Sequence, residues 1–270
     1  MIRRTLGIIG TGALGGSIGM RSRVNGLRVI GYDSDISALR QALALQAIDA
    51  SVDREQLCNE AEIIVLAAPI DATLAEITAM VSNPPAAKLI IDIASVKSPI
   101  VKAAKSLKQF VGTHPMAGTE RSGLRSAGAS LFESCRWAFV RSESRSLDTA
   151  VCEFIRSFDA EPFAIDAETH DQVVALTSHL PQLFSTVFSA LLADKSAAVA
   201  YENLLGPAAR EFRRLGNSPL AMWDPIFRHN AQNIANEARR LSHALTYIAE
   251  ASVHGDAVPL HEAFLQAAAR

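Results

Sequence analysis

Residues 5–16 read TLGIIGTGALGG. Thr5 to Ile9 is an apolar run of strand type, Gly10-Thr11-Gly12-Ala13-Leu14-Gly15 follows it with GxGxxG spacing, and helical spacing carries on from Leu14 to Arg23. A strand that enters a glycine turn at the mouth of a helix opens a dinucleotide-binding βαβ unit. The first glycine makes the tight turn, the second lets backbone approach a pyrophosphate, the third allows close helix–strand packing, and the helix amino end favours the anion. The next strand is Leu27 to Tyr32, with Asp33 at its end. A carboxylate there accepts hydrogen bonds from the adenosine ribose and repels a 2′-phosphate, so the expected cofactor is NAD and not NADP. The competing reading makes Asp33 a cap for the helix that starts near Ile36, a job for which Ser34 and Asp35 also qualify.

Outward from this unit the alternation continues. Glu62 to Ala67, Lys88 to Ile93, Phe110 to Thr113, Trp137 to Val140 and Glu161 to Ile165 read as strands. Ile36 to Leu45, Ala72 to Val81 and Ser98 to Leu107 carry helical spacing between the earlier ones. The apolar runs do not alternate strictly, as expected of parallel strands covered on both faces. Beyond Ala167 the pattern is helical: Glu168 to Asp194, Ser196 to Leu205, Met222 to Ala249 and Leu260 to Ala269, broken at Gly206-Pro207 and Gly216-Asn217-Ser218-Pro219. The expected class is α/β: a Rossmann-type, mainly parallel NAD-binding domain over residues 1–165, then an all-helical substrate-binding and dimerisation domain over 166–270.

Composition bounds the alternatives. The 270 residues are 49% hydrophobic and 20% charged, which excludes bulk disorder. Twenty-six basic against 28 acidic residues, with no long single-sign run, exclude nucleic acid as the main partner. Cys58, Cys135 and Cys152 form no CxxC pair, and no metal-ligand spacing is present, so neither a metal nor a disulfide framework is expected. The basic start Met1-Ile2-Arg3-Arg4 is followed at once by glycines rather than by a signal-peptide core, and no run reaches a membrane span. The expectation is a cytoplasmic protein with no membrane partner.

In an open parallel sheet, ligands lie at the carboxyl ends of the strands. That rule places Ala68 and Pro69 after one strand, and Ser95 and Lys97 after another, near cofactor or substrate; Ser95 also suits a plain helix cap ahead of Pro99. Gly112-Thr113-His114-Pro115-Met116-Ala117-Gly118-Thr119-Glu120 is the densest run of reactive groups. His114 has a free pKa near neutrality and can take a proton from a hydroxyl as hydride leaves the same carbon. Thr169-His170-Asp171 and Ser178-His179-Leu180-Pro181-Gln182 share one expected long helix, where Pro181 is expected to produce a kink and Ser178 and Gln182 share a face. Arg210, Arg213 and Arg214 offer guanidinium groups suited to carboxylate recognition, and spacing does not choose among them.

These segments together resemble the prephenate and arogenate dehydrogenases of tyrosine biosynthesis. The likeness runs through GTGALGGSIG, DIASVK, GTHPMAGTE followed by RSG, THDQ, SHLP, and FRRLG to the MW segment ending in Asn230. It implies oxidative decarboxylation of a cyclohexadienyl substrate with NAD, giving 4-hydroxyphenylpyruvate or tyrosine. His114 then resembles the residue that takes the ring hydroxyl proton, and Ser95 its orienting neighbour near the nicotinamide. Arg214 is similar to the arginine that holds a substrate carboxylate, with Arg213 one register away. Thr119, Glu120, Ser178 and His179 resemble pocket residues, and Trp223 a residue near the substrate. Gln182 stands where many prephenate-preferring members continue SHLP with histidine; a neutral amide supplies no positive charge but both donates and accepts, so arogenate, prephenate or both fit. Within these 270 residues, neither the ACT domain nor the chorismate mutase domain that some relatives carry is expected.

Helices such as Thr177 to Leu192 are apolar around most of their circumference, so they need more than one covering surface, supplied by a homodimer through the helical half or equally from within one chain. Two other functions stay open on residues alone. One is a different NAD-dependent reductase of Rossmann and helical build, which leaves GTHPMAGTE unexplained. The other is a dinucleotide-responsive binding protein without turnover.

Overall fold

The structure is a computed structural model that describes residues 4–117, 123–195, 201 and 203–269. The chain divides into two units, one of residues 1–171 with 218–229 and the other of residues 172–217 with 230–270. The sequence reading draws a single line after residue 165; the folded chain returns the segment 218–229 to the first unit, where Ile226 packs into its core.

The first unit holds a six-stranded parallel sheet. Its strands are β1 (Thr5–Ile9), β2 (Arg28–Tyr32), β3 (Ala50–Ser51), β4 (Ile63–Leu66), β5 (Leu89–Asp92) and β6 (Phe110–Val111), in the order β3-β2-β1-β4-β5-β6. Register aligns their carboxyl ends: Ile9 lies beside Tyr32 and Leu66, and Leu66 beside Asp92. Successive residues serve opposite faces. Leu6, Ile8, Val65 and Ile91 enter one buried cluster, while Ile9, Ile64, Leu66 and Ile90 enter the other. Two dry faces explain why these strands read as continuous apolar runs.

The expected strand from Phe110 to Thr113 is two strands in two sheets. β6 ends at Val111, and after Gly112 the chain starts β7 (Thr113–Pro115), which pairs antiparallel with β8 (Arg136–Val140); β8 in turn pairs parallel with β9 (Glu161–Ile165). A Cβ on Gly112 would meet Val101 Cγ2 at 2.8 Å, so the handover needs a residue without a side chain. Phe132, Trp137, Phe154 and Phe158 fill the core under this second sheet, with ring centroids 4.9 to 6.3 Å apart. β3 is too short to stand out in the sequence.

In the second unit, the helix Ala167–Val174 that leaves the first passes into a π turn over Ala175–His179 and then the helix Leu180–Lys195. Pro181 is expected to produce a kink; the missing N–H is accommodated by the wide turn just ahead of it. Pro207–Gly216 packs on Leu180–Lys195 through Phe184, Phe188 and Phe212, whose rings lie 5.1 to 6.0 Å apart. The expected helix from Met222 to Ala249 is two helices, Leu220–His229 and Ala231–Val253, separated at Asn230. Val258–Ala268 follows. Most of the expected helix Ser196 to Leu205 lies outside the described residues.

Phe158 is almost fully buried among three aromatic neighbours. Phe158→Ala removes its transfer energy and leaves a cavity, so it should lower the unfolding free energy of the first unit by about 3–5 kcal/mol. Urea denaturation followed by tryptophan fluorescence measures it; a loss below about 1 kcal/mol would mean the cluster collapses around the gap.

Candidate active site

The glycine turn is closed by its neighbours. Gly10 has φ +96, and a Cβ there would meet the backbone of Ala67 and Ala68 at 2.7 Å; a Cβ on Gly15 would lie 2.0 Å from the Gly10 carbonyl oxygen. Gly12 is the contrast, since a Cβ there meets nothing within 4 Å. Gly12 also precedes the helix Ala13–Val24, whose first turn has no side-chain cap and no acidic residue. Open space above uncapped amides at a positive helix end is a cradle for a pyrophosphate.

Asp33 ties this turn to the end of β2. Its Oδ2 accepts from the Thr11 amide at 2.7 Å and the Thr11 hydroxyl at 3.1 Å, and its Oδ1 from the Asp35 amide at 2.9 Å. Asp35 caps the helix Ile36–Ala44 by accepting from the Ser37 amide at 2.8 Å, which settles the helix-cap alternative against Asp33. After β4, the Ala68 carbonyl accepts from the Thr73 hydroxyl at 3.0 Å and Pro69 precedes the helix Ile70–Ser82. The carboxyl ends of four adjacent strands thus carry Gly10–Gly15, Asp33, Ala68–Pro69 and Ser95.

Beneath Ser95 lies a buried polar knot. Lys97 is sequestered from solvent rather than turned toward a ligand: its Nζ is paired with Asp92 and also donates to the Thr113 carbonyl at 2.7 Å. Asp92 Oδ1 accepts from the Thr113 amide at 3.1 Å and its Oδ2 from the Ala94 amide at 3.0 Å. Burial pushes the Asp92 carboxyl up and the Lys97 ammonium down, and their mutual attraction opposes both shifts. Thr113 completes the knot, donating from its hydroxyl to the Asp92 carbonyl and accepting from Trp137 Nε1 at 3.0 Å.

Next to Thr113 stands His114, half-buried, with its Nδ1 2.9 Å from His170 Nε2. His170 Nδ1 is 2.8 Å from Asp171 Oδ1, and both residues are buried. Asp171 also accepts from the Lys97 amide at 2.7 Å and the Ser98 amide at 2.8 Å, which caps the short helix Ser98–Ala103. Burial opposes the Asp171 charge, but hydrogen bonds from His170, Ser98 and Lys97 outweigh it and hold the carboxyl below the usual range. His170 is thus a ring partner of His114 at Nδ1, and Ser95 is half-buried in the turn after β5. Spacing alone does not single out His170, which lies 56 residues away; the THDQ segment is its only signal.

Trp223 lies in Leu220–His229, with its ring 5.7 Å from Phe227, and Arg228 and His229 of that helix bind Asp71 at 2.7 Å each. In the second unit, His179 is fully buried with its Nδ1 3.2 Å from Asn230 Nδ2. Ser178 is half-buried on the π turn. Gln182 is buried and donates to the Leu215 carbonyl at 2.9 Å. Arg213 and Arg214 occupy the last turn of Pro207–Gly216, and Arg214 pairs with Glu211. Thr119 and Glu120 lie outside the described residues.

Family models cover both halves of the chain. That of the prephenate dehydrogenase nucleotide-binding domain matches residues 18–160, and that of the prephenate dehydrogenase dimerization domain matches 166–266. A prephenate dehydrogenase of Lactococcus lactis is 29% identical over 239 residues, which is 83% of this chain and 64% of the relative, so the chain spans about two thirds of that relative's length. Two solved structures share the fold. The arogenate dehydrogenase of Synechocystis is 24% identical with a TM-score of 0.82, covering 97% of this chain and 96% of its own. The prephenate dehydrogenase of A. aeolicus, solved with hydroxyphenyl propionate and NAD+, is 21% identical with a TM-score of 0.87, covering 99% and 96%.

Breaking the buried pair strands a charge. Lys97→Met should lower the unfolding free energy of the first unit by about 3–5 kcal/mol, and adding Asp92→Leu should recover much of that loss. Chemical denaturation of the two variants tests this; equal losses in both would show that the pair acts through hydrogen-bond geometry and not through charge.

Proposed function

The chain belongs to the prephenate dehydrogenase family, and we propose that it catalyses NAD-dependent oxidative decarboxylation of prephenate, arogenate or both, in tyrosine biosynthesis. The observation that carries this reading is the placement of His114: it follows directly from the sheet whose aligned strand ends bear the glycine turn and Asp33.

The nucleotide end fits NAD. The open face at Gly12 and the uncapped amides at the start of Ala13–Val24 would hold the pyrophosphate, with Thr11, Ala13 and Leu14 lining the turn. Asp33, already oriented by Thr11, would accept from the ribose hydroxyls, and its charge would repel a 2′-phosphate. Ala68, Pro69 and Ser95 would lie along the cofactor. When bound, NAD+ supplies the acceptor for a hydride.

His114 would receive the proton of the ring hydroxyl as the C–H electron pair departs as hydride, so that the carbinol carbon becomes a carbonyl. The bond to the ring carboxylate then breaks, carbon dioxide leaves, and the bonding pair completes the aromatic ring while the carbonyl oxygen becomes a phenolate, which takes back the proton held on His114. A base with a pKa near neutrality suits the first step, and aromatisation makes the second irreversible. Ser95 would help orient the hydroxyl. Arg214, with Arg213 beside it, would bind a substrate carboxylate. Gln182 carries no charge, which supports acceptance of arogenate beside prephenate.

A homodimer through the C-terminal half fits the second unit, where Val187, Leu191, Tyr247, Phe264 and Leu265 are at least half exposed. Among the described residues no helix is long and apolar enough to cross a membrane, which fits the cytoplasmic setting proposed for this pathway. Light scattering at micromolar concentration should give the mass of two chains; the mass of one would overturn the dimer.

Steady-state kinetics with prephenate and arogenate, each with NAD+ and NADP+, should show NADH formation with at least one substrate and a clear preference for NAD+. No turnover with either would overturn the function, and a preference for NADP+ would overturn the role given to Asp33. His114→Asn should lower kcat by about 10²–10⁴-fold while leaving NAD+ affinity nearly unchanged.

A further inference from the structure

Three side chains on two elements form one chain of hydrogen bonds. His114 from β7 meets His170 from the helix Ala167–Val174, and His170 meets its own neighbour Asp171. Protons on this chain can be assigned by elimination. An ionised carboxylate only accepts, so His170 Nδ1 must donate to Asp171. In the neutral ring, His170 Nε2 is then the acceptor, and His114 Nδ1 must donate to it. The acceptor lone pair of neutral His114 is therefore on Nε2.

We propose that His170 and Asp171 are positioning residues for the dehydrogenase reaction. They hold His114 as the Nδ1–H tautomer and stabilise the imidazolium that forms when its Nε2 takes the hydroxyl proton. The proposal rests on the family reading above and adds two residues to it.

Surroundings keep the pair in this state. Asp171 accepts amide hydrogens from Lys97 and Ser98, so its orientation is set by backbone and not by a mobile side chain. Among the described residues, the titratable groups bonded to the His170 ring are Asp171 on its own helix and His114 from β7; Lys97 reaches this chain through its amide on Asp171, with its side chain held on Asp92. His170's amide donates to the Asp166 carbonyl at 2.9 Å, which anchors the ring's backbone at the first turn of the helix. The rings of His114 and His170 cross at 70° with centroids 5.2 Å apart, an edge contact that directs nitrogen to nitrogen. In the step itself the substrate O–H bond breaks and an Nε2–H bond forms. The C–H electron pair leaves as hydride to the nicotinamide, and neither His170 nor Asp171 changes its proton count.

The first test is the tautomer, read from imidazole ¹⁵N shifts of the full chain without ligand: His114 should carry its proton on Nδ1 near neutral pH. An Nε2–H tautomer in the wild type overturns the proposal. The second test is kinetic. His170→Ala should lower kcat by about 10²–10⁴-fold, with substrate KM and the Kd for NAD+ within about twofold. The acidic limb of kcat/KM should move to lower pH, because the His114 cation loses its support. His170→Asn, whose amide oxygen can accept from Nδ1–H, should recover part of kcat. If His170→Ala does not fold, Asp171→Asn serves, since an amide donor facing His170 reverses the tautomer. An unchanged kcat and pH profile, or losses of NAD+ affinity and Tm that track the loss of kcat, would overturn the positioning role. A wild type inactive on both substrates would instead sink the family-based function, and the ¹⁵N result would still decide the tautomer.

Discussion

A carboxylate and an ammonium buried together set the terms for the rest of the site. Taking Asp92 and Lys97 out of water costs several kcal/mol for each ion, and their attraction alone does not secure a return. The remaining hydrogen-bonding capacity must be met, and it is met by backbone: the amides of Ala94 and Thr113 and the carbonyl of Thr113. Satisfying the charges thereby pins Thr113 to the end of β5. Since Thr113 starts the strand that bears His114, the ion pair places that histidine as a by-product of its own desolvation.

The same economy appears at Lys97 and Ser98, whose amides are bound by Asp171 from 74 and 73 residues away. The turn after β5 therefore communicates with His114 by two routes. One runs through the Lys97 side chain and Thr113, the other through Asp171 and His170. The nucleotide end is built by a different rule, close backbone approach, in which Gly10 and Gly15 are pressed against neighbours while Gly12 faces open space. Rigid packing shapes the glycine turn, and charge satisfaction positions His114.

What the sequence discloses follows the range of each interaction. The glycine turn, Asp33 and the strands of the parallel sheet are local patterns, legible because neighbours in the chain are neighbours in space. Phe110 to Thr113 reads as one strand because apolar character does not report which sheet a residue joins; only the crowding at Gly112 marks the change. Met222 to Ala249 reads as one helix because the side chain of Asn230, where it breaks, is held by a tertiary bond to His179 beside a local one from Asn233. The link from His114 to His170 depends on two segments meeting, and no spacing rule contains it. The family likeness supplies the motif THDQ but not the contact.

The strands at the two margins of the parallel sheet, Ala50–Ser51 and Phe110–Val111, are also its shortest, at two residues each. An edge strand offers unpaired amides and carbonyls to any extended peptide nearby, and its length sets how many bonds a stray chain can form. Here the handover at Gly112 truncates one margin, so the turn that delivers the histidine also denies a foothold for strand addition. A sheet this apolar on both faces is protected from self-association at the place where its backbone would otherwise be sticky.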